Sequence, residues 1–360
     1  MDKCCNCKIN SALLQLMNKF TVVLGLFLLS ISAQGQKQTY KVSVIGFYNL
    51  ENFYDTVDNT MVDDQEFLPT GPKNYNGKIY WDKVTKLATV ISDLGKDITP
   101  DGPAILGVAE VENDTVLNNL VHHALIRNRN YQVVHYDSRD LRGVDVGLLY
   151  NPKYFTVLNS RKLFVALDEN GEPVYTRDIL YVSGILDGDT IHIFVNHWPS
   201  RRGGEERSAP RRAAAAKVVK TFIDSIQMVT PNAKLLIMGD LNDDPISPSV
   251  KKVLNAKGKI EDVQPGGLYN PWVDMYKNGI GTLAYQDAWG LFDQIMMSFS
   301  WLDKAQSGYF FFNQRIYNKE YLVENIGKYK GYPMRTWDGN FYRGGYSDHF
   351  PTYLVMLKKQ

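Results

Sequence analysis

KLLIMGDLNDDP, residues 234–245, is the stretch on which the fold turns. Four apolar residues, Leu235 to Met238, read as a short strand, and the chain then passes at once into Asp240, Asn242, Asp243 and Asp244. The same arrangement recurs along the chain. PAILGVAE (103–110) ends on Glu110, with Glu112 two positions on, and KVSVIGFY (41–48) leads into Asn49 and Glu51. TIHIFVNHW (190–198) delivers His197, and SDHFP (347–351) sets Asp348 and His349 just before TYLVML (352–357). LFDQIMMS (291–298) carries Asp293 inside an apolar run, where a carboxylate needs a partner.

Further strand-like runs lie at YQVVHY (131–136), VDVGLLY (144–150) and ILYVSGIL (179–186). Two amphipathic helices are expected. One follows Asp82 as N-cap, with Val84, Leu87, Ala88, Ile91 and Leu94 on one face and Gly95 as its stop; the other starts near Pro210 and carries Val219, Phe222, Ile223 and Ile226. Many strands and few helices imply sheets packed on each other with helices outside. After residue 36 there is neither a repeat nor a low-complexity linker, so one domain over 36–360 is expected.

Composition sets limits. Among 360 residues 44% are hydrophobic and the formal net charge is +1, which suits a globular chain and gives no general polyanion-binding character. Any phosphate contact must therefore come from a local patch. MNKFTVVLGLFLLSISAQGQ, from Met17, combines a basic start with an apolar run from Phe20 to Leu29 and small residues around Ala33. It reads as a signal peptide within residues 1–35, too short for a membrane span, and directs the protein to the periplasm or outside. Met17 reads as the better initiator, and a mis-called start over residues 1–16 is the expectation. Cys4, Cys5 and Cys7 all precede the apolar run, so the mature chain has no cysteine for a disulfide or a thiolate metal site. A monomer without a membrane anchor is expected.

Carboxylates and amides at strand ends suit hard divalent cations such as Mg²⁺, with Mn²⁺ or Ca²⁺ as alternatives, and do not suit structural zinc. Each residue alone has a plainer reading. Glu110 is then a strand-end acid facing water, GDLNDDP an Asp- and Asn-rich turn, His349 a hydrogen-bonded core histidine, and His197 a strand end meeting solvent. Those readings weaken together, because all must hold at once. Arg201 and Arg202, just past His197, are either a phosphate grip or solvated loop charges.

FYNLENF, GVAEVEN, RGVDVGLLY, NHWPSR, GDLNDDP, FDQIMMS and SDHFP, in that order, resemble the endonuclease/exonuclease/phosphatase superfamily over residues 41–357. The resemblance implies an α/β fold, a four-layer α/β sandwich of two packed mixed β-sheets flanked by helices. It implies metal binding by Glu110, with Asn49, Glu51 and Asp348 beside it. It gives Asp240 the attacking water, Asn242 and His349 the phosphate, Asp293 the orientation of His349, and His197 a second catalytic imidazole with Asp145 or a neighbour orienting it. Many members carry Gln before the metal glutamate, where this chain has Ala109.

The expected activity is hydrolysis of a phosphate ester. Three readings stand: a secreted nuclease or phosphodiesterase acting on nucleic acid, a phosphatase or sphingomyelinase-like lipid phosphodiesterase, and a catalytically silent binding module. The aromatic and basic stretch 309–350 either stacks on bases or packs on the body of the protein.

Overall fold

The computed structural model describes residues 15–17, 19 and 38–360; the apolar run from Phe20 to Leu29 and the cleavage point near Ala33 lie outside the described residues. Residues 41–359 form one compact unit, built around two six-stranded sheets.

The first sheet contains β1 (Tyr40–Phe53), β2 (Ile105–Val111), β3 (Gln132–His135) and β4 (Asp145–Tyr150). The second contains β5 (Phe155–Leu163), β6 (Ile179–Leu186), β7 (Asp189–His197), β8 (Lys234–Asp240), β9 (Leu268–Tyr269) and β10 (Asp293–Ser298). The chain then returns to the first sheet with β11 (Phe310–Ile316) and β12 (Thr352–Lys359). Strand order is β11-β12-β1-β2-β4-β3 in one sheet and β9-β10-β8-β7-β6-β5 in the other. Both are mixed: β1 runs parallel to β2 and β7 parallel to β8, whereas β2–β4 and β8–β10 are antiparallel.

Alternation along each strand builds three cores. Ile45, Phe47, Ile105 and Leu148 of the first sheet meet Ile193, Val195, Leu236 and Met238 of the second between the sheets. The opposite face of the first sheet, with Val44, Tyr48 and Leu106, is covered by Val84, Leu87, Ala88 and Ile91 of the helix α1 (Gly77–Asp93). On the far side of the second sheet Leu235 and Ile237 lie under Ala215, Ala216, Val219 and Ile223 of α3 (Glu205–Val229). A shorter helix, α2 (Asp114–Val121), follows β2. The result is the expected four-layer α/β sandwich. The sheets approach closely at Gly107, where an added Cβ would lie 2.5 Å from Met238 Sδ.

Two helix starts differ from expectation. Asn76, not Asp82, caps α1: its Oδ1 accepts from the backbone N–H groups of Lys78 (3.0 Å) and Ile79 (3.2 Å). Asp82 lies inside the helix and accepts a hydrogen bond from the Tyr342 hydroxyl. The second helix begins at Glu205, so Pro210 sits within it. Of the strands in the two large sheets, pattern reading misses β5, β9 and β11, all at sheet edges. In β5 most side chains are exposed or half-buried, so no apolar run marks it. Most aromatics of 309–350 pack on the body, with Tyr317, Trp337 and Phe350 buried in one core and Trp337 set against Phe67 and Tyr75.

Candidate active site

Strand register assembles the site. His197, Asp240 and Asp293 lie opposite one another across β7, β8 and β10. In-register residues on adjacent strands present side chains to the same face. Gly239 makes the approach possible, since a Cβ there would come within 2.2 Å of the Asn196 carbonyl oxygen.

On the facing sheet both parallel strands break register at the site. β1 shifts between Asn49 and Phe53, and β2 shifts against β4 between Ala109 and Val111. Glu110 is thus left out of the ladder, and such a bulge re-aims the side chain it carries. Glu51, Asn52, Glu110 and Asn242 all have left-handed φ, at 50°, 50°, 60° and 49°. Such values are uncommon outside glycine, and here they coincide with the functional residues. Ala109 faces the core between the sheets, so the residue before Glu110 serves packing.

Asp240 is the hub. Its Oδ2 accepts from Asn49 Nδ2 at 3.0 Å and lies 3.7 Å from His197 Nε2 and 3.9 Å from His349 Nε2. Its Oδ1 accepts from the backbone N–H of Asn242 at 2.9 Å. Burial pushes the Asp240 carboxyl up to about 6, against the opposing pull of His349. Glu110 joins through Oε1, 3.3 Å from Asn49 Nδ2 and 3.8 Å from His197 Nε2, while its Oε2 accepts from Asn52 N at 2.8 Å.

Asp293 holds His349, with Oδ2 at 2.7 Å from Nδ1. Burial alone would favour the neutral ring, but Asp293, Asp240 and Asp348 together hold His349 well above the usual histidine range. His197 is the reverse case. Burial depresses it well below that range, and the Arg177 and Arg142 guanidiniums and His349 add to the effect.

Several expected residues stand elsewhere. Asp145 does not orient His197. Its Oδ2 is 3.5 Å from His135 Nε2 and its Oδ1 accepts from Ser138 N, while His197 Nδ1 is buried without a hydrogen-bond partner. Register explains this, because Asp145 pairs with Val111, one residue past Glu110. Glu51 does not converge with Glu110. Its carboxylate accepts from the backbone N–H groups of Thr336 (2.7 Å) and Trp337 (3.3 Å), and burial and Asp348 raise it to about 7. Asp348 stands at the rim, 3.9 Å from both His349 Nε2 and Arg335 Nη2.

Asn242 directs its side-chain amide to the Trp198 carbonyl at 3.0 Å. Arg201 is engaged as a brace, donating to the Asn242 carbonyl (2.9 Å), Asp244 (2.9 Å) and Glu205 (3.1 Å). Arg202 is exposed.

Motif reading missed Arg177, which donates to the carbonyls of His197 (3.2 Å) and Trp198 (2.6 Å) and to Asp140 (3.1 Å). It also missed Lys83, fully buried, which donates to Thr336 Oγ1 (2.5 Å) and the Tyr346 carbonyl (3.0 Å). Neither lies at a strand end, where the polar signal was sought. Arg142, the first residue of RGVDVGLLY, adds its positive charge to that of Arg177 beside His197.

The donor set fits a divalent cation. Glu110, Asp240 and His197 each offer an atom within 4.8 Å of the others, and Asn49 braces the two carboxylates by donating its Nδ2 to both. Oxygen-rich donors of this kind are those hard cations take.

Acids, amides and two histidines thus gather at one end of a two-sheet α/β sandwich. The chain matches the Endonuclease/Exonuclease/phosphatase family over residues 44–358, and it belongs to that family. Members of the family are phosphoester hydrolases that typically use divalent metals. No curated protein matches the chain by sequence.

Among solved structures it is similar in fold to a family member from Bacteroides thetaiotaomicron (13% identity, 89% of this chain and 97% of that one, TM-score 0.53). It is also similar to D. rerio TDP2 complexed with single strand DNA product (14% identity, 88% and 99%, TM-score 0.52). A functionally unknown conserved protein from Enterococcus faecalis matches comparably (14% identity, 88% and 99%, TM-score 0.51).

Proposed function

We propose that this chain is an exported, Mg²⁺-dependent phosphoesterase that hydrolyses phosphodiester bonds, endonuclease-like in its chemistry. The observation that carries the reading is Asp240, within 4 Å of both His197 Nε2 and His349 Nε2 and bonded to Asn49. A carboxylate raised to about 6 is a stronger base than an exposed one and is still largely ionised at neutral pH. Asp240 takes the proton of the attacking water as the new P–O bond forms and the ester P–O bond breaks. His349, held cationic, neutralises charge on the phosphoryl group or gives its proton to the departing oxygen. His197, held neutral, contributes a hydrogen bond. Glu110 would hold Mg²⁺, with Mn²⁺ or Ca²⁺ as substitutes, and Asn49 would brace it, its Nδ2 donating to Glu110 and Asp240 and its Oδ1 accepting from Glu51 N. When bound, the cation supplies Lewis-acid polarisation of the phosphoryl oxygens.

A nucleic-acid substrate is supported by the fold's likeness to TDP2 complexed with single strand DNA product. Export is supported by the apolar run from Phe20 to Leu29; among the described residues no helix is long and apolar enough to cross a membrane.

The test is an assay of the mature protein on oligonucleotides, plasmid DNA, RNA, sphingomyelin, inositol phosphates and a chromogenic diester, with and without EDTA. Metal-dependent cleavage of a nucleic acid or the chromogenic diester is expected. Turnover of monoesters or sphingomyelin alone gives the phosphatase or lipid reading, and no turnover with any of the three metals gives the silent module. N-terminal sequencing of the exported protein checks the start and cleavage near Ala33.

A further inference from the structure

A cavity of about 1030 Å³ opens beside the catalytic residues, walled by Tyr276, Tyr285, Trp289 and Phe292 and edged by Arg201 and Arg202. Its lining adjoins the chemistry through neighbouring residues. Arg201 donates to the carbonyl of Asn242, Phe292 precedes Asp293, and the Trp289 ring is stacked on Phe350, the neighbour of His349, with centroids 6.3 Å apart. None of these rings is used by the hydrolysis described above.

The aromatic wall is held in place by a hairpin, Leu283–Tyr285 and Ala288–Gly290. Its two turn residues, Gln286 and Asp287, have φ of 49° and 62° without being glycine. Positive φ at both central positions is the tight turn that matches strand twist, at a conformational cost for residues with a Cβ. Tyr332 secures it, its hydroxyl accepting from Asp287 N (2.7 Å) and donating to Asp287 Oδ1 (2.6 Å). Tyr285 is thereby presented 71% exposed. A large exposed ring on a braced turn contributes little to the core and is well placed for a ligand.

We propose that this cavity is a substrate subsite for a flat aromatic group carried on the scissile phosphate, the base of a nucleotide. The inference rests on the phosphodiesterase reading and deepens it. The ring chemistry is that of stacking, which every base offers, and Arg202 supplies an exposed cation at the mouth where an anionic backbone would leave. Arg201 lies over Phe292, 4.5 Å from the ring centroid, which rigidifies the wall nearest the reacting atoms.

The test compares three diesters with the same p-nitrophenolate leaving group: thymidine 5′-(p-nitrophenyl) phosphate, bis(p-nitrophenyl) phosphate and methyl p-nitrophenyl phosphate. The native protein should prefer the thymidine ester by kcat/KM over the methyl ester. Tyr285→Ala, with Trp289→Ala as the stronger variant, should remove about tenfold of that preference, the scale of one lost base stack. The methyl-ester rate should stay within about twofold for Tyr285→Ala, as for a surface change away from the chemistry.

Equal rates on the thymidine and methyl esters in the native protein would overturn the subsite, as would equal losses on both in Tyr285→Ala. Preference for the bis-aryl ester over the thymidine ester would overturn the base in favour of a simple aryl group. Binding of thymidine 5′-monophosphate, read by tryptophan fluorescence, separates the two readings. Binding lost in Tyr285→Ala without hydrolysis of any ester supports the subsite and refutes the enzyme, whereas neither binding nor hydrolysis refutes both.

Discussion

His349 and His197 approach the same oxygen of Asp240, at 3.9 and 3.7 Å, yet their surroundings shift their pKa values in opposite directions. Both are buried, His197 as the last residue of β7 and His349 in the bend that precedes β12. Around His349 stand Asp293, Asp240 and Asp348; around His197 stand Arg177 and Arg142. A strand end delivers one imidazole and a bend the other, and the next ring of residues decides what each can do. A cationic ring beside a neutral one gives the site one proton donor and one hydrogen-bonding group without a second kind of side chain.

The largest effect is expected where the pair meets. Asp240→Asn and His349→Ala should each lower kcat by at least about 10²-fold, the lower end for a lost acid–base group. Near-native single-turnover rates in either variant on a cleavable diester would remove that residue from the chemical step.

Next comes Arg177, the fully buried cation beside His197. Arg177→Gln leaves Asp140 without its buried partner and should cost about 3–5 kcal/mol of stability in denaturant unfolding. A loss under about 1 kcal/mol would show that the pair adds nothing beyond an exposed one.

Asp293→Asn tests the opposite side. Without that anion the His349 pKa should fall, so kcat/KM should decline with rising pH at a lower pH than in the native enzyme. A pH–rate profile that does not move refutes the assignment of His349 as the cation.

Linkage sharpens the contrast. The raised pKa of His349 contributes stability that is full below its unfolded value, about 6.5, and lost as pH rises through the folded value. The depressed pKa of His197 works in the other direction, its stability present above about 6.5 and lost as pH falls below it. His197→Gln should therefore flatten the acid side of a plot of denaturant midpoint against pH and leave the alkaline side alone.

The smallest change is expected at Arg202, exposed at the cavity mouth. Arg202→Ala should shift stability by less than about 0.5 kcal/mol and act mainly on KM for anionic substrates.

The contrast also shows how far motif reading reaches. The strands ending in Glu110, His197 and Asp240 were legible because a buried strand must be apolar, so a polar residue at its end stands out. The edge strands β5 and β11 were not, since exposure removes the apolar signal. Asp293 was legible for the same reason in reverse, as a carboxylate within an apolar run, and His349 is the partner it required. Asp145 looked equally well placed, but its register against Val111 sends it to His135.

The sequence by itself determined the strand-rich α/β class, the strand-end set of acids, amides and histidines, and the family resemblance, because these depend on residue type and local spacing. Only the tertiary structure decided the convergence of that set on Asp240, the withdrawal of Glu51 and Arg201 into bracing contacts, and the opposite pKa shifts of the two histidines. Those depend on register, bulges and long-range neighbours such as Arg177 and Lys83. Burial and Coulomb interactions act between residues far apart in the chain, and no local pattern records them.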